Sequence, residues 1–217
     1  MSLERITSRM VGRELSDQFP RIESRPGREI FRVEGLNAGP LVRDVGFSVW
    51  SGEIVGIAGL MGAGRTETTR AIFGVDRRES GRFFLDGRPV ELAHPASSIA
   101  EGLVLVPEDR KKDGLCVKLS IRENLALPNL DWLCGGLGVV SRAKERRMVE
   151  EARKGLSVRM AHAEAQAATL SGGNQQKLVV GKWLARPSRL VIFDEPTRGI
   201  DVGAKVEIYR LMNELKE

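Results

Sequence analysis

Three short stretches carry the side chains that could do chemistry. The first, Gly59-Leu60-Met61-Gly62-Ala63-Gly64-Arg65-Thr66, sets three glycines, a cation and a hydroxyl within eight residues. Glycines let successive backbone N–H groups turn toward one centre. A helix starting at the end of such a loop adds its partial positive charge, which makes a cup for phosphate oxygens. The hydroxyl of Thr66 is placed to ligate Mg2+. The loop follows G-x-x-x-x-G-K-[ST] except that Arg65 stands where lysine is expected. Arginine keeps the charge, but its planar fork cannot fold around a phosphate as a compact ammonium does. The plain alternative is a glycine-rich strand-to-helix turn without a ligand.

The second stretch is Val191-Ile192-Phe193-Asp194-Glu195. Two carboxylates ending an apolar strand are costly to bury unless they are used. The carboxyl ends of parallel strands are where ligands sit. Asp194 can hold Mg2+ opposite Thr66, and Glu195 can polarise an attacking water; the alternative is a pair that caps the turn at Pro196. The third stretch, Leu170-Ser171-Gly172-Gly173-Asn174-Gln175-Gln176-Lys177, puts serine and two glycines at a helix start. It reads either as a second anion nest or as a glycine-rich N-cap. Two nests in one chain make sense if the second serves another domain's nucleotide.

These stretches need elements to hold them. Ile54–Ala58 is wholly apolar and predicts a buried strand ahead of the first loop; Thr66–Phe73 predicts the helix behind it, stopped at Gly74. Strands are predicted near Ile30–Gly35 and Val45–Trp50, and a hairpin at Arg82–Leu85 and Pro89–Val90 around Asp86-Gly87. Pro95–Ala100 predicts a helix, and Leu103–Val106 a fully buried strand. Glu108–Gly114 reads as a charged loop. Ser120 with Glu123 forms a capping box, and Ser141 caps a helix through Leu156. No strand pattern occurs between Cys116 and Leu170, so a helical insertion interrupts the core. A helix over Asn174–Ala185, a strand at Leu190–Phe193 and a helix over Val202–Glu217 follow. The last helix predicts an apolar stripe of Val202, Val206, Tyr209, Met212 and Leu215.

Composition sets outer bounds. The 217 residues, 41% hydrophobic and 29% charged, suit a globular chain with a sizeable core. The net charge of +5 comes from basic residues interleaved with acids, as in Glu145-Arg146-Arg147, and reads as solvated helix faces instead of a nucleic-acid surface. Cys116 and Cys134 have no metal-ligand spacing and are expected as reduced thiols. No apolar run reaches the roughly 20 residues of a membrane span.

LSGGNQQK followed by VIFDEPTRGID resembles the nucleotide-binding domain of ATP-binding cassette (ABC) transporters. GLMGAGRTE, VPEDRKKDGL and DEPTRGIDVGAK are similar to the second such domain in the tandem ATPase subunits of simple-sugar importers of the ribose, xylose and galactoside type. The resemblance covers about Glu29 to the end. It implies an α/β P-loop NTPase fold with a mainly parallel core sheet, an antiparallel β subdomain, an inserted helical subdomain and missing C-terminal strands. Residues 1–28 would be a linker from a preceding domain, with core at 29–108 and 171–217 and helical subdomain at 109–170.

By the same resemblance, Gly59, Gly62, Ala63, Gly64, Arg65, Thr66 and Glu67 bind ATP. Thr66, Asp194 and Glu108 hold Mg2+, and Glu195 is catalytic. Ser171, Gly172 and Gly173 reach the γ-phosphate held by a partner domain, and Asp201 lies at the domain pair's interface. The implied partners are a second nucleotide-binding domain, head to tail, and membrane permease subunits docked on the helical subdomain. Nucleic acid is not among them. The implied place is the cytoplasmic face of the plasma membrane. Three departures accompany the match: Arg65 for lysine, Glu108 for glutamine, and no aromatic between Gly35 and Arg43 to stack on adenine. With these, the domain is expected to bind ATP with little turnover and to lend its signature motif to a competent site. The rivals are a non-catalytic interaction module and a nucleoside importer. A DNA- or ribosome-directed relative is disfavoured, because 109–170 is too short for a long coiled coil.

Overall fold

The structure, a computed structural model, describes residues 25–216, so most of the expected 1–28 linker lies outside the described residues. The chain opens with β1 (Glu29–Ala38) and β2 (Val42–Trp50), paired antiparallel. Phe31 and Val33 alternate inward and are almost fully buried, the period-2 pattern of a half-covered sheet. β3 (Ser80–Leu85) takes the other edge of β1 and turns into β4 (Arg88–Val90), giving the order β2-β1-β3-β4. Asp86 and Gly87 both have positive φ, 49° and 73°. That is the two-residue turn whose twist matches a hairpin, and Asp-Gly is the pair that tolerates it. Phe31 and Phe83 stack beneath the sheet with ring centroids 6.1 Å apart.

A second sheet is parallel. β5 (Leu103–Val106) and β6 (Leu190–Phe193) pair from Leu103↔Leu190 to Val106↔Phe193. α1 (Arg65–Phe73) packs against both sheets and α2 (Pro95–Ala100) against β5; the latter is capped by the His94 ring, which accepts from Ser97 N. One apolar core joins the antiparallel sheet to α1. A second surrounds β5 and the helical insertion.

The insertion contains α3 (Ile121–Ala126), α4 (Leu130–Leu133) and α5 (Arg142–Gly155), followed by α6 (Gly172–Leu184). The Ser120–Glu123 capping box forms as its spacing predicts. α6 begins two residues earlier than expected, with Ser171 as its cap. Glu108–Gly114 is not plain loop: Arg110–Gly114 forms a single π-helical turn, capped by Asp109, whose carboxylate accepts from the amides of Lys111 and Lys112. Among the described residues, no helix is long and apolar enough to cross a membrane.

Two further expectations are corrected. Ile54–Ala58 is not a buried strand: it pairs with no sheet, and Ile54, Val55 and Ile57 are 48%, 37% and 43% exposed. A strand persists only where a neighbour takes its N–H and C=O groups. Here a cleft of about 750 Å3 lies against the segment, lined by Ile54–Ile57 and also by Leu190–Phe193 of β6. Of the stripe expected on the final helix, α7 (Val202–Glu214), only Val206 is buried; Ala204, Ile208 and Leu211 are buried beside it, and Tyr209 and Met212 are half-buried. Val202 and Leu215 are exposed, while Met212 and Leu215 border that same cleft. The buried face is therefore shifted from the sequence reading, toward the side that packs on α6.

Candidate phosphate and metal site

The loop from Gly59 to Thr66 turns tightly, with the Ala63 amide bonded to Leu60 O at 3.1 Å. Gly62 and Gly64 take φ of 78° and 84°, the left-handed region that a Cβ disfavours. At Gly64 space matters too: a Cβ would stand 2.8 Å from Leu41 O and 3.1 Å from Leu41 Cβ. The β1–β2 turn thus presses directly on the loop. Gly64 caps α1, yet no side chain accepts from the first amides of that helix. Those N–H groups and the helix dipole form the kind of cradle an anion fills. Leu60 and Met61, 85% and 99% exposed, leave the cup open to solvent.

The acids arrive from the parallel sheet. The Asp194 amide donates to Val106 O at 2.9 Å, continuing the β5–β6 ladder one residue beyond its strand. That fixes the carboxylate at the carboxyl end of the sheet. Thr66 Oγ1 lies 3.2 Å from Asp194 Oδ1 and 3.3 Å from Glu108 Oε2. One hydroxyl proton cannot serve both acceptors, so three hard oxygens converge with one surplus lone-pair set. Such a donor set fits Mg2+, which is bound through one or two carboxylates and keeps several waters. Among the described residues, His, Cys, Asp and Glu alone gather nowhere in a metal-binding group, so the Thr66 hydroxyl is integral to this one. Burial raises the Asp194 pKa; the Thr66 bond opposes that, and the Glu195 charge adds to it. A bound cation would relieve the same cost.

Glu195 is paired with the cation of the glycine loop. Its Oε1 sits 2.5 Å from Arg65 Nη1, so the loop's guanidinium and the candidate base neutralise each other. Glu195 also holds φ of 45°, a left-handed conformation in a non-glycine residue of the kind that clusters at functional sites. Glu108 is doubly engaged, forming an ion pair with Arg198 besides approaching Thr66. The cup is therefore flanked by three carboxylates and two guanidinium groups.

The other expected residues make local contacts. Glu67 occupies the first turn of α1. The Ser171 hydroxyl accepts from Asn174 Nδ2 at 2.9 Å, and Asp201 caps α7 by accepting from Ala204 N at 2.9 Å. Gly172 and Gly173 permit close packing: a Cβ would lie 3.1 Å from Gly199 O at Gly172, and 2.7 Å from Ala204 Cβ at Gly173. Phe31 is core, 1% exposed. Sequence reasoning missed Leu41, Arg110 and Arg198, for no spacing rule pairs residues so far apart.

A phosphate-type loop, acids at a parallel strand end and a glycine-started helix that follows an inserted helical region define a nucleotide-binding cassette. The chain belongs to the ABC transporter family, whose sequence pattern matches residues 42–198. It is 49% identical over 218 residues to the ribose import ATP-binding protein RbsA of Chelativorans sp. (strain BNC1), covering 100% of this chain and 43% of that protein. It is 45% identical over 214 residues to the ribose import ATP-binding protein RbsA of Bacillus subtilis (strain 168), covering 99% and 43%. The chain thus spans well under half the length of these relatives. The fold agrees with solved structures: against the ATP-binding cassette MJ0796 the TM-score is 0.73 at 22% identity, over 87% of this chain and 83% of that one. Against the ATP-binding cassette MJ1267 the TM-score is 0.70 at 24% identity, over 88% and 78%.

Proposed function

We propose that the chain binds Mg2+–ATP at Gly59–Glu67 and serves as one nucleotide-binding half of a sugar importer's ATP-binding subunit. The observation that carries this reading is the convergence of the Thr66 hydroxyl with Asp194 and Glu108 at the mouth of an uncapped helix. Backbone amides from Gly62 to Thr66 would bind phosphate oxygens. Thr66, Asp194 and Glu108 would hold Mg2+, which neutralises charge on the transferring phosphoryl group when bound. Carbohydrate as the solute class is supported by relatives that are ribose import ATP-binding proteins.

The second nest, Ser171–Gly173, would face a nucleotide held by another domain, and this supports a head-to-tail pair. The helical region would dock the permease subunits, placing the chain at the cytoplasmic face of the membrane. Glu195 would orient and deprotonate an attacking water. Its pairing with Arg65 favours the narrower reading that this half retains ATP and turns it over slowly, while its nest completes the competent site. Single-turnover hydrolysis by the complete subunit tests the narrower reading. Glu195→Gln is expected to change the rate less than about twofold, whereas a loss of 100-fold or more, the scale of a removed general base, would show that this half is a working catalyst.

A further inference from the structure

Outside the acids and the glycine loop, one cation is placed as a clamp. Arg110 opens the π-helical turn that follows β5. Its Nη1 donates to Arg198 O at 2.9 Å, its Nη2 to Gly199 O at 3.2 Å, and its Nε to Gln175 Oε1 at 3.4 Å. The first two acceptors lie in the loop after Glu195 and the third on α6, so one planar group ties two elements together. Gln175 is 3% exposed, and its Nε2 donates to Ala167 O at 3.1 Å, which turns its oxygen toward the guanidinium. Gly172 makes the room: a Cβ there would stand 2.9 Å from Arg110 Nη2. Two residues earlier, Glu108 touches the Thr66 hydroxyl and pairs with the Arg198 side chain. The segment from 108 to 110 therefore touches the phosphate cup at one end and the Ser171 nest at the other. Lysine could not replace the clamp, because a single ammonium lacks the fixed fork that reaches three acceptors in one plane.

We propose that Arg110 is a positioning residue that locks the start of α6 to the Arg198–Gly199 loop, so that occupancy of the phosphate cup is felt at the Ser171 nest. The coupling to occupancy rests on the reading that the cup holds nucleotide; the lock itself does not. Hydrogen exchange on the 217-residue chain, with and without Mg2+–ATP, tests both. Without nucleotide, Arg110→Ala and Arg110→Lys are expected to raise exchange in 171–175 and in 198–201 together, by about fivefold or more, as for the opening of one cooperative unit. Gly172→Ala, which drives the guanidinium out from the other side, should reproduce the pattern. Arg43→Ala, which removes an exposed pair with Glu79, should not. With nucleotide, the wild-type chain should gain protection in all three of 59–66, 171–175 and 198–201, whereas the Arg110 variants should gain it only in 59–66. Unchanged exchange in the nucleotide-free variants, or a rise in only one of the two segments, would overturn the lock. Variants that transmit protection as the wild type does would overturn the coupling. Absence of any protection in the wild type would fail the nucleotide reading and the coupling, and leave the nucleotide-free comparison to decide the lock.

Discussion

Replacing Arg65 by lysine separates what the Arg65–Glu195 pair does for folding from what it does to the cup. The two groups lie 2.5 Å apart, but the side chains are 34% and 40% exposed. Pairs this open contribute about 0.2–1 kcal/mol. In a chain of this size that corresponds to a fall in Tm of roughly 4 °C at most. The effect on ligand binding should be larger and opposite in sign. Lysine is a compact point charge on a flexible stem and can meet a phosphate oxygen at the cup without bridging to Glu195. A hydrogen bond to a charged group adds about 1.5–3 kcal/mol, which corresponds to roughly 10- to 100-fold in Kd. Isothermal titration with Mg2+–ATP, paired with thermal unfolding of both proteins, reads the two effects separately. An Arg65→Lys chain that binds no more tightly than the wild type, or that loses more than about 10 °C, would refute the argument that this ion pair holds the cup in check.

Other consequences follow from the same geometry. Gly62 and Gly64 share a left-handed φ, but a Cβ at Gly62 meets nothing within 4 Å while one at Gly64 meets Leu41 at 2.8 Å. Gly62→Ala should therefore cost only the backbone term of about 1–2 kcal/mol, and Gly64→Ala that amount plus about 1–3 kcal/mol of overlap; equal losses in denaturant midpoint would show that the loop does not rest on the β1–β2 turn. Burial lowers the Lys182 pKa to about 8. The folded state thus binds this proton more weakly than the unfolded chain, whose lysine titrates near 10.5. Stability attributable to this group is lowest below pH 8 and recovers as pH rises through the window to 10.5. The stability of Lys182→Met relative to the wild type should accordingly decline across that window, and a flat or rising difference would contradict it.

What the sequence disclosed was local. The Asp86-Gly87 turn, the Ser120–Glu123 capping box and the fully apolar β5 each carry their cause within a few residues, and each forms where expected. The Thr66–Asp194 proximity was also legible, because a glycine loop and a strand-end acid pair are each recognisable alone. Features that depend on distant partners were not. Ile54–Ala58 has strand chemistry, but a strand needs a ladder, and the neighbouring sheet leaves a cleft there. Arg65 and Glu195 are 130 positions apart, and Arg110 and Arg198 are 88 apart. No periodicity predicts such pairs, so the neutralised cup and the Arg110 clamp emerged only from the packing of α6 and the loop after β6. The buried face of α7 was legible only at Val206, for a related reason: a helical stripe shows that a face exists, while its neighbours decide which residues it holds.

The central claim is that Thr66, Asp194 and Glu108 complete a Mg2+-dependent polyphosphate site on the uncapped start of α1. Equilibrium titration of the chain with ATP, with and without Mg2+, and of Asp194→Asn alongside it, tests that claim most directly. The account predicts saturable one-to-one binding that weakens at least tenfold when Mg2+ is withheld, and an Asp194→Asn chain that binds with the same weak affinity whether or not Mg2+ is present. Binding indifferent to Mg2+ in the wild type, or no saturable binding at millimolar nucleotide, would contradict it.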